Sequence, residues 1–385
     1  MPIAALFLLS VTFAAPVQPG AAPGEPSATS IDPSGRVDIS TSDDPFVPIG
    51  LYCWATSPDV VRKAAAAGFN CITVMGQGDQ NNNIAVFKEA QRLGIKVLVD
   101  LHELYPTSRM APKSIGAWKT LDDMVTGLIG RYHGYPALLG WSIGWMDPTL
   151  EPLTRRYQQV RQLDREHLCL AAIPNNKLAA GAWRDGADVL APILAPVPKF
   201  PLAEVGLTVG RALAAAGADH GVWVHLQAYD RGVWDKEHAA EFRAPTLDEM
   251  RTMTLAGLAA GANGVMVFGW DMFTRDKLGF EARWRDVAAL AGELKQLLPG
   301  LTSPEKEPDI ALHTATPEKV FARAWRRGHD LWLVAANGDD AQHAVTFRLP
   351  AGAAAPQVIA GKAAASAGAL ILDGNQSAVL HVTLP

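Results

Sequence analysis

From Val47 onward one pattern repeats along the chain. A short, continuous apolar run is followed by a longer stretch whose apolar residues recur every three or four positions. The runs are VPIGLYC, NCITVM, IKVLVDL, ALLGWSI, HLCLAA, DVLAPIL, GVWVHLQ and GVMVFGW. Strands that are apolar throughout, rather than at alternate positions, are covered on both faces, as in a parallel sheet. The intervening stretches include SPDVVRKAAAAG, NNIAVFKEAQRLG, TLDDMVTGLIGRY, LTRRYQQVRQL and TLDEMRTMTLAGLAAG. Several open on Ser, Thr or Asp and close on Gly, the punctuation of capped amphipathic helices. Eight such units spread over about 250 residues predict an α/β fold of the (β/α)8 barrel type rather than an open doubly wound sheet. No glycine-rich GxGxxG or GxxxxGK[ST] segment follows the first run, so a nucleotide-binding reading has no support.

The period changes after Leu301. Beyond the charged SPEKEPD segment, KVFARAWRRGHDLWLVAANGDDAQHAVTFRL alternates with period two. Val320, Ala322 and Ala324 share one face, and Leu331, Leu333 and Ala335 follow suit after the RGHD turn. A small antiparallel β-sandwich is predicted over 309–385, after a barrel over 36–303. Trp325 and Trp332 fall within its alternating strands, where packing is their expected role. The Ala/Gly-biased stretch AGAAAPQVIAGKAAASAGA reads as an irregular connection inside it.

At the other end, Ile3 to Ala15 (IAALFLLSVTFAA) is too short to span a membrane and suits the apolar core of a secretory signal. Residues 1–15 are therefore read as a signal peptide without a basic leader, and 16–35 as a Pro/Gly/Ser-rich linker. The expected location is secreted or periplasmic. GRVDISTSDDPFVPIGLY then predicts a hairpin leading into the first buried strand. No later run reaches the ~18 uninterrupted apolar residues of a membrane span.

Composition narrows the partners. Among 385 residues, Lys and Arg number 34 and Asp and Glu 39, a net charge of −5 that argues against a nucleic-acid partner. Hydrophobic residues at 49% against 19% charged exclude a disordered chain. Cys53, Cys71 and Cys169 are too few for a disulfide scaffold and read as small buried residues. The 11 Trp outnumber the 6 Tyr, which makes their placement informative.

In a (β/α)8 barrel, chemistry gathers at the C-terminal ends of the strands. The first run ends Tyr52-Cys53-Trp54 and the third Asp100-Leu101-His102-Glu103. The fourth ends Trp145-Met146-Asp147-Pro148, the seventh His225-Leu226-Gln227-Ala228-Tyr229-Asp230 and the eighth Trp270-Asp271. Trp54, Trp145, Trp270 and, in the loop after the seventh run, Trp234 thus reach the mouth. Sugar rings present apolar C–H faces that stack on aromatic rings, so a rim rich in Trp and acids suits carbohydrate. Trp54, Trp145 and Trp270 are candidate platforms, with Tyr52, His102, Gln227 and Tyr229 as further substrate contacts. At Trp54 and Trp270 a cap on the barrel core is the competing role. Glycoside hydrolysis needs two carboxyl groups, one protonated and one ionised. Asp147 is the candidate acid, with Glu103 or Asp271 as its partner; the alternative for Asp147 is an Asp-Pro turn capping the next helix. Strand alternation places Asp100 and His102 on one face and Glu103 on the other, and no second His stands at ligand spacing. No metal and no cofactor are therefore predicted. The charged loop Arg231 to Arg243, with Asp235, Glu237 and His238, reads as solvated overhang.

PALLGWSIGWMDP at 136–148, DVLAPILAP at 188–196, QAY at 227–229 and RAPTLDEMR at 243–251 together resemble segments of secreted bacterial (β/α)8 glycoside-hydrolase-type proteins of the clan A kind. Typical relatives read PALLGWYLADEP, DVIGVDPYP, Gln-Ala-Phe and RAPTPEELR there. The resemblance runs from about Phe46 to Leu298, with AANGDD similar to a segment of the C-terminal sandwich. It implies a barrel acting on oligo- or polysaccharide, with a proton-donating Glu on the fourth strand and a nucleophilic Glu on the seventh. The donor position falls on Met146 without a gap, or on Asp147 with a one-residue insertion. Ile193 and Ala195 replace the acid and ring of the sixth strand, and Gln227 occupies the seventh-strand position, as in nearer relatives. Two readings follow: an exported glycoside hydrolase using the mouth carboxylates, or a non-catalytic carbohydrate-binding barrel that kept the cleft and lost the acids.

Overall fold

The computed structural model describes residues 28–106, 108, 111–144, 150–174, 182–217, 219–366 and 368–385. The apolar segment read as a secretion signal lies outside them. After a hairpin of β1 (Thr29–Ile31) and β2 (Val37–Ile39), each apolar run supplies one strand of a closed parallel barrel. These are β3 (Ile49–Tyr52), β4 (Cys71–Met75), β5 (Lys96–Asp100), β6 (Leu138–Gly144), β7 (Leu168–Pro174), β8 (Val189–Leu194), β9 (Gly221–Gln227) and β10 (Gly264–Phe268), with β10 pairing back to β3. Helices α1 (Pro58–Ala67), α2 (Gln80–Leu93), α3 (Leu121–Tyr132), α4 (Leu150–Leu163), α5 (Ala203–Ala216), α6 (Leu247–Ala259) and α7 (Phe280–Leu301) surround it. Between β7 and β8 the described residues hold only a one-turn helix, Ala182–Gly186.

Local chemistry sets the helix ends. Ser57 accepts from the Val60 N–H ahead of Pro58, and Gly68 closes α1 at φ 108°, a conformation that suits glycine. At α6, Thr246 and Glu249 form a reciprocal capping box. Strand parity divides the side chains. Tyr52, Leu98, Trp223, Met266 and Phe268 pack together inside the ring, while Ile49, Leu51, Val97, Val224 and Val267 pack with the helices. The hairpin covers the N-terminal end of the barrel. Thr29 Oγ1 donates to the Leu139 carbonyl at 3.0 Å and accepts from the Leu168 N–H at 2.8 Å, and Val37 and Ile39 join the interior cluster. Its first strand, Thr29–Ile31, falls in the segment read as linker.

The C-terminal segment forms two antiparallel sheets. β12 (Val320–Arg327), β13 (Asp330–Asn337), β18 (Ser377–Thr383) and β15 (Gln357–Gly361) make one. β11 (Leu312–His313), β14 (His343–Phe347), β17 (Ala369–Leu372) and β16 (Ala364–Ala365) make the other. The stretch expected to be irregular thus carries β15 and β16. Val320, Ala324, Leu331, Leu333 and Ala335 fill the space between the sheets, as their alternation implies. The opposite face of the first sheet, with Trp332, Val334, Ala336, Ala360 and Val379, joins the barrel's outer core instead. α6 is consequently covered on two sides and buries an unbroken row from Met250 to Leu258. A Cβ at Gly300 in α7 would come within 2.9 Å of the Trp332 ring, so the close approach requires glycine there. Among the described residues, no helix is long and apolar enough to cross a membrane.

Candidate functional site

The C-terminal mouth is organised around Asp100, the last residue of β5, whose side chain is sealed from solvent. The Tyr52 hydroxyl, from the end of β3, donates to its Oδ2. Its Oδ1 receives the His102 backbone N–H at 2.9 Å and lies 2.5 Å from His102 Nδ1, a contact in which Nδ1 is the donor when the carboxylate accepts. β5 stops at Asp100, and the chain then turns, with Leu104 N–H bonded to the Leu101 carbonyl at 3.0 Å. This turn overrides the alternation expected from sequence and brings Glu103 alongside His102, its Oε1 4.0 Å from Nε2. Gln77, after β4, donates to Glu103 Oε2 at 2.5 Å. On β6, Ser142 stands in register with Asp100, and its buried hydroxyl makes no hydrogen bond among the described residues. A buried hydroxyl of this kind marks a place where a ligand hydroxyl or water completes the bonding.

Burial and neighbouring charge act together on these groups. Burial opposes an imidazolium at His102, but Asp100 more than compensates and holds it above its ordinary value. Burial raises the Glu103 carboxyl; His102 pulls it back, Asp100 adds to the rise and Gln77 opposes it. Tyr52 is pushed well up by burial and by Asp100. Among the described residues, no three His, Cys, Asp or Glu side chains are grouped to hold a metal ion.

An aromatic wall descends to this cluster. Trp234, 52% exposed, meets Trp54 edge-on at 5.6 Å between centroids, and Trp54 meets Phe268 at 5.7 Å. Phe268 in turn contacts Tyr229 and Tyr52, each at 5.2 Å. His225 lies against Tyr52 at 5.5 Å. Burial, opposed by Asp100 and reinforced by His102, pushes the His225 imidazole down to about 4. The unfolded chain therefore takes up a proton below its ordinary 6.5 that the fold refuses. The neutral ring's stabilising contribution is present above pH about 6.5 and is lost as pH falls to about 4, roughly 3 kcal/mol at ~1.4 kcal/mol per unit. Urea unfolding at pH 7 and pH 4.5 is expected to show a smaller loss of stability in His225→Phe than in the wild type. Equal losses in the two proteins would refute this.

The other sequence candidates separate. Asp147 and Trp145 lie outside the described residues. Asp271 spends both oxygens on main chain, Oδ2 accepting from Trp54 N–H at 2.7 Å and Oδ1 from Ala55 N–H at 3.0 Å. Burial raises its carboxyl, and those two bonds oppose the rise. Its place in the fold is a clamp between the loops after β3 and β10. Trp270 turns away from the mouth and packs against Phe280 at 5.0 Å and Trp284 at 5.1 Å in the outer core. Gln227 accepts from Val197 N–H at 3.0 Å and donates to the Val197 and Tyr229 carbonyls at 3.1 Å. Its amide is engaged in holding the loop after β8. Tyr52, His102, Glu103, Trp54 and Tyr229 do converge. Asp100, weighed in the sequence only as a metal ligand, joins them, as do Gln77, Ser142, His225 and Phe268, which were not singled out; period-two parity back from Gln227 already places His225 on the inward face.

No family model matches the chain, and no curated protein matches it by sequence. Its fold does match solved structures. An α-amylase from Anoxybacillus aligns over 85% of this chain and 90% of its own, with TM-score 0.52 and 12% identity. A GH30 endoxylanase from Clostridium papyrosolvens C71 aligns over 93% and 98%, with TM-score 0.52 and 12% identity. An endo-1,4-beta-mannanase from Rhizomucor miehei aligns over 71% and 99%, with TM-score 0.51 and 10% identity. The chain thus has a barrel fold shared with glycoside hydrolases, carrying C-terminal antiparallel sheets, as the resemblance in its sequence implies. Likeness at this level of identity speaks to fold, and activity has to be argued from the site.

Proposed function

We propose that the protein is an exported glycoside hydrolase acting on oligo- or polysaccharide, with Glu103 as its proton donor. One observation carries this reading. Glu103 is the mouth carboxyl, among the described residues, that is partly open to solvent yet free of main-chain donors, its side chain 15% exposed. Asp100 is sealed beneath Tyr52 and His102, and Asp271 is clamped. Burial raises the Glu103 carboxyl, which suits the acid rather than the base. This exchanges the roles assigned from sequence: Asp147 becomes the second, ionised carboxylate. Trp234 and Trp54 form the platform for the sugar, in place of Trp270.

A second reading, a carbohydrate-binding barrel without turnover, is favoured by Gln227 and Asp271, whose polar atoms are spent on backbone. Assaying a glycan panel for both binding and release of reducing ends separates the two. Turnover supports the hydrolase, binding without turnover the second reading, and neither would overturn both. Trp234→Ala is expected to weaken glycan binding by about 3–10-fold, the worth of one aromatic stacking contact, while leaving the fold intact.

A further inference from the structure

We propose that His102, locked in place by Asp100, is a positioning residue that sets the charge state of Glu103; this rests on the reading of Glu103 as the proton donor. The geometry is a chain of three contacts. Tyr52 holds one oxygen of Asp100, and the other oxygen takes both the backbone N–H and Nδ1 of His102. The imidazole is thereby anchored at Nδ1, and its Nε2 faces Glu103 Oε1 at 4.0 Å. That separation is too long for a direct hydrogen bond but well within reach of a charge–charge interaction. Gln77 holds the other Glu103 oxygen from the opposite side, so the carboxyl cannot swing away without losing that bond.

The chemistry follows from proton accounting. When Glu103 gives its proton to a departing glycosidic oxygen, it becomes a carboxylate in a half-buried site. A charged imidazole beside it stabilises that carboxylate, and Asp100 favours the charged form of the ring against the opposing effect of burial. The titratable groups facing the pair come from three sides: Tyr52 on β3, Asp100 at the end of β5 and His225 on β9. Tyr52 keeps its proton and His225 stays neutral around pH 7, so Asp100, His102 and Glu103 are the groups that exchange influence. The signs are then fixed. Asp100 and Glu103 each favour a charged His102, whereas His102 favours an ionised Glu103 and Asp100 disfavours it.

Histidine-selective 15N NMR and glutamate-selective 13C NMR on the whole chain, titrated from about pH 4 to about pH 9, test this without any glycan. Glu103→Gln is expected to move the His102 midpoint to lower pH. His102→Gln is expected to move the Glu103 midpoint to higher pH. Asp100→Asn should lower the His102 midpoint and release the fixed Nδ1–H tautomer. A purely structural role for His102 would leave the Glu103 midpoint where it is. A His102 midpoint unmoved in Glu103→Gln, or a Glu103 midpoint unmoved in His102→Gln, overturns the proposal even if glycans are hydrolysed. The shifts with these signs sustain the coupling even if no glycan is turned over, so the two readings fail separately. Should Asp100→Asn not fold, Glu103→Gln and His102→Gln still decide it.

Discussion

A chain ending at Ser303 is expected to aggregate rather than fold, although all eight barrel strands precede that point. The first C-terminal sheet is sandwiched between the second sheet and α6 and α7, so its removal uncovers the barrel's own helices. Trp332, Val334, Ala336, Ala360 and Val379 would be lost from the barrel's outer core. At ~1.5–3 kcal/mol for each large apolar side chain and less for the alanines, their burial is comparable to the whole ~5–15 kcal/mol stability of a domain. Polar seams go with them. Thr252 in α6 bonds the Asn375 carbonyl at 3.0 Å and the Ser377 hydroxyl at 3.1 Å, and Lys362 reaches Asp248 at 2.7 Å. Trp332→Ala is the milder test of the same seam. It leaves a cavity over Gly300 and is expected to cost ~3–5 kcal/mol in urea unfolding, with glycan binding unchanged. A truncated chain that stays monomeric and melts within a few degrees of the full-length protein would show that the sheets are dispensable to the barrel.

The barrel was legible in the sequence because strands covered on both faces leave no polar positions to blur the pattern. The site was less so, for a reason visible residue by residue. Trp270 follows Phe268 by two positions, and continued strand parity would point both rings at the mouth. The chain instead enters a short helix at Trp270–Arg275, which rotates the indole outward. Asp271 and Gln227 carry the right functional groups, yet each is consumed by main-chain partners on other loops, 217 residues away in the case of Trp54. Such engagement depends on loop geometry and leaves no periodic trace. Glu103 shows the converse. Strand alternation separates it from His102, and only the end of β5 one turn earlier brings the two together. Trp234, set in a charged segment, carries no apolar pattern to mark it as a platform, but it is the indole left exposed beside Trp54.

Replacing Glu103 by Gln is expected to cut turnover by ~10²–10⁴-fold, the usual contribution of a positioned proton donor, with glycan affinity nearly intact. Gln keeps the shape and an amide that can still bond Gln77, so a loss of rate reports the missing proton rather than a rearranged cleft. The pH dependence gives the sign. Because burial raises the Glu103 carboxyl, the acid form persists above its ordinary 4.5, and the rate should fall on the alkaline side as it ionises. That limb disappears in the Gln variant, whereas Asp147→Asn should remove the acidic limb, since a base must be ionised to act. Stability is expected to move the other way. A carboxyl whose folded value is raised favours the fold below its unfolded value, and that advantage is lost as pH rises through the folded value. At pH 7 the wild type therefore holds a partly buried carboxylate at a cost that Gln does not carry, and Glu103→Gln should melt at a slightly higher temperature. Loss of rate with a raised melting temperature is the signature of a group kept for chemistry at the expense of stability. If the rate survives while the melting temperature falls, Glu103 is a structural partner of Gln77, and the proton donor has to be sought at Asp147.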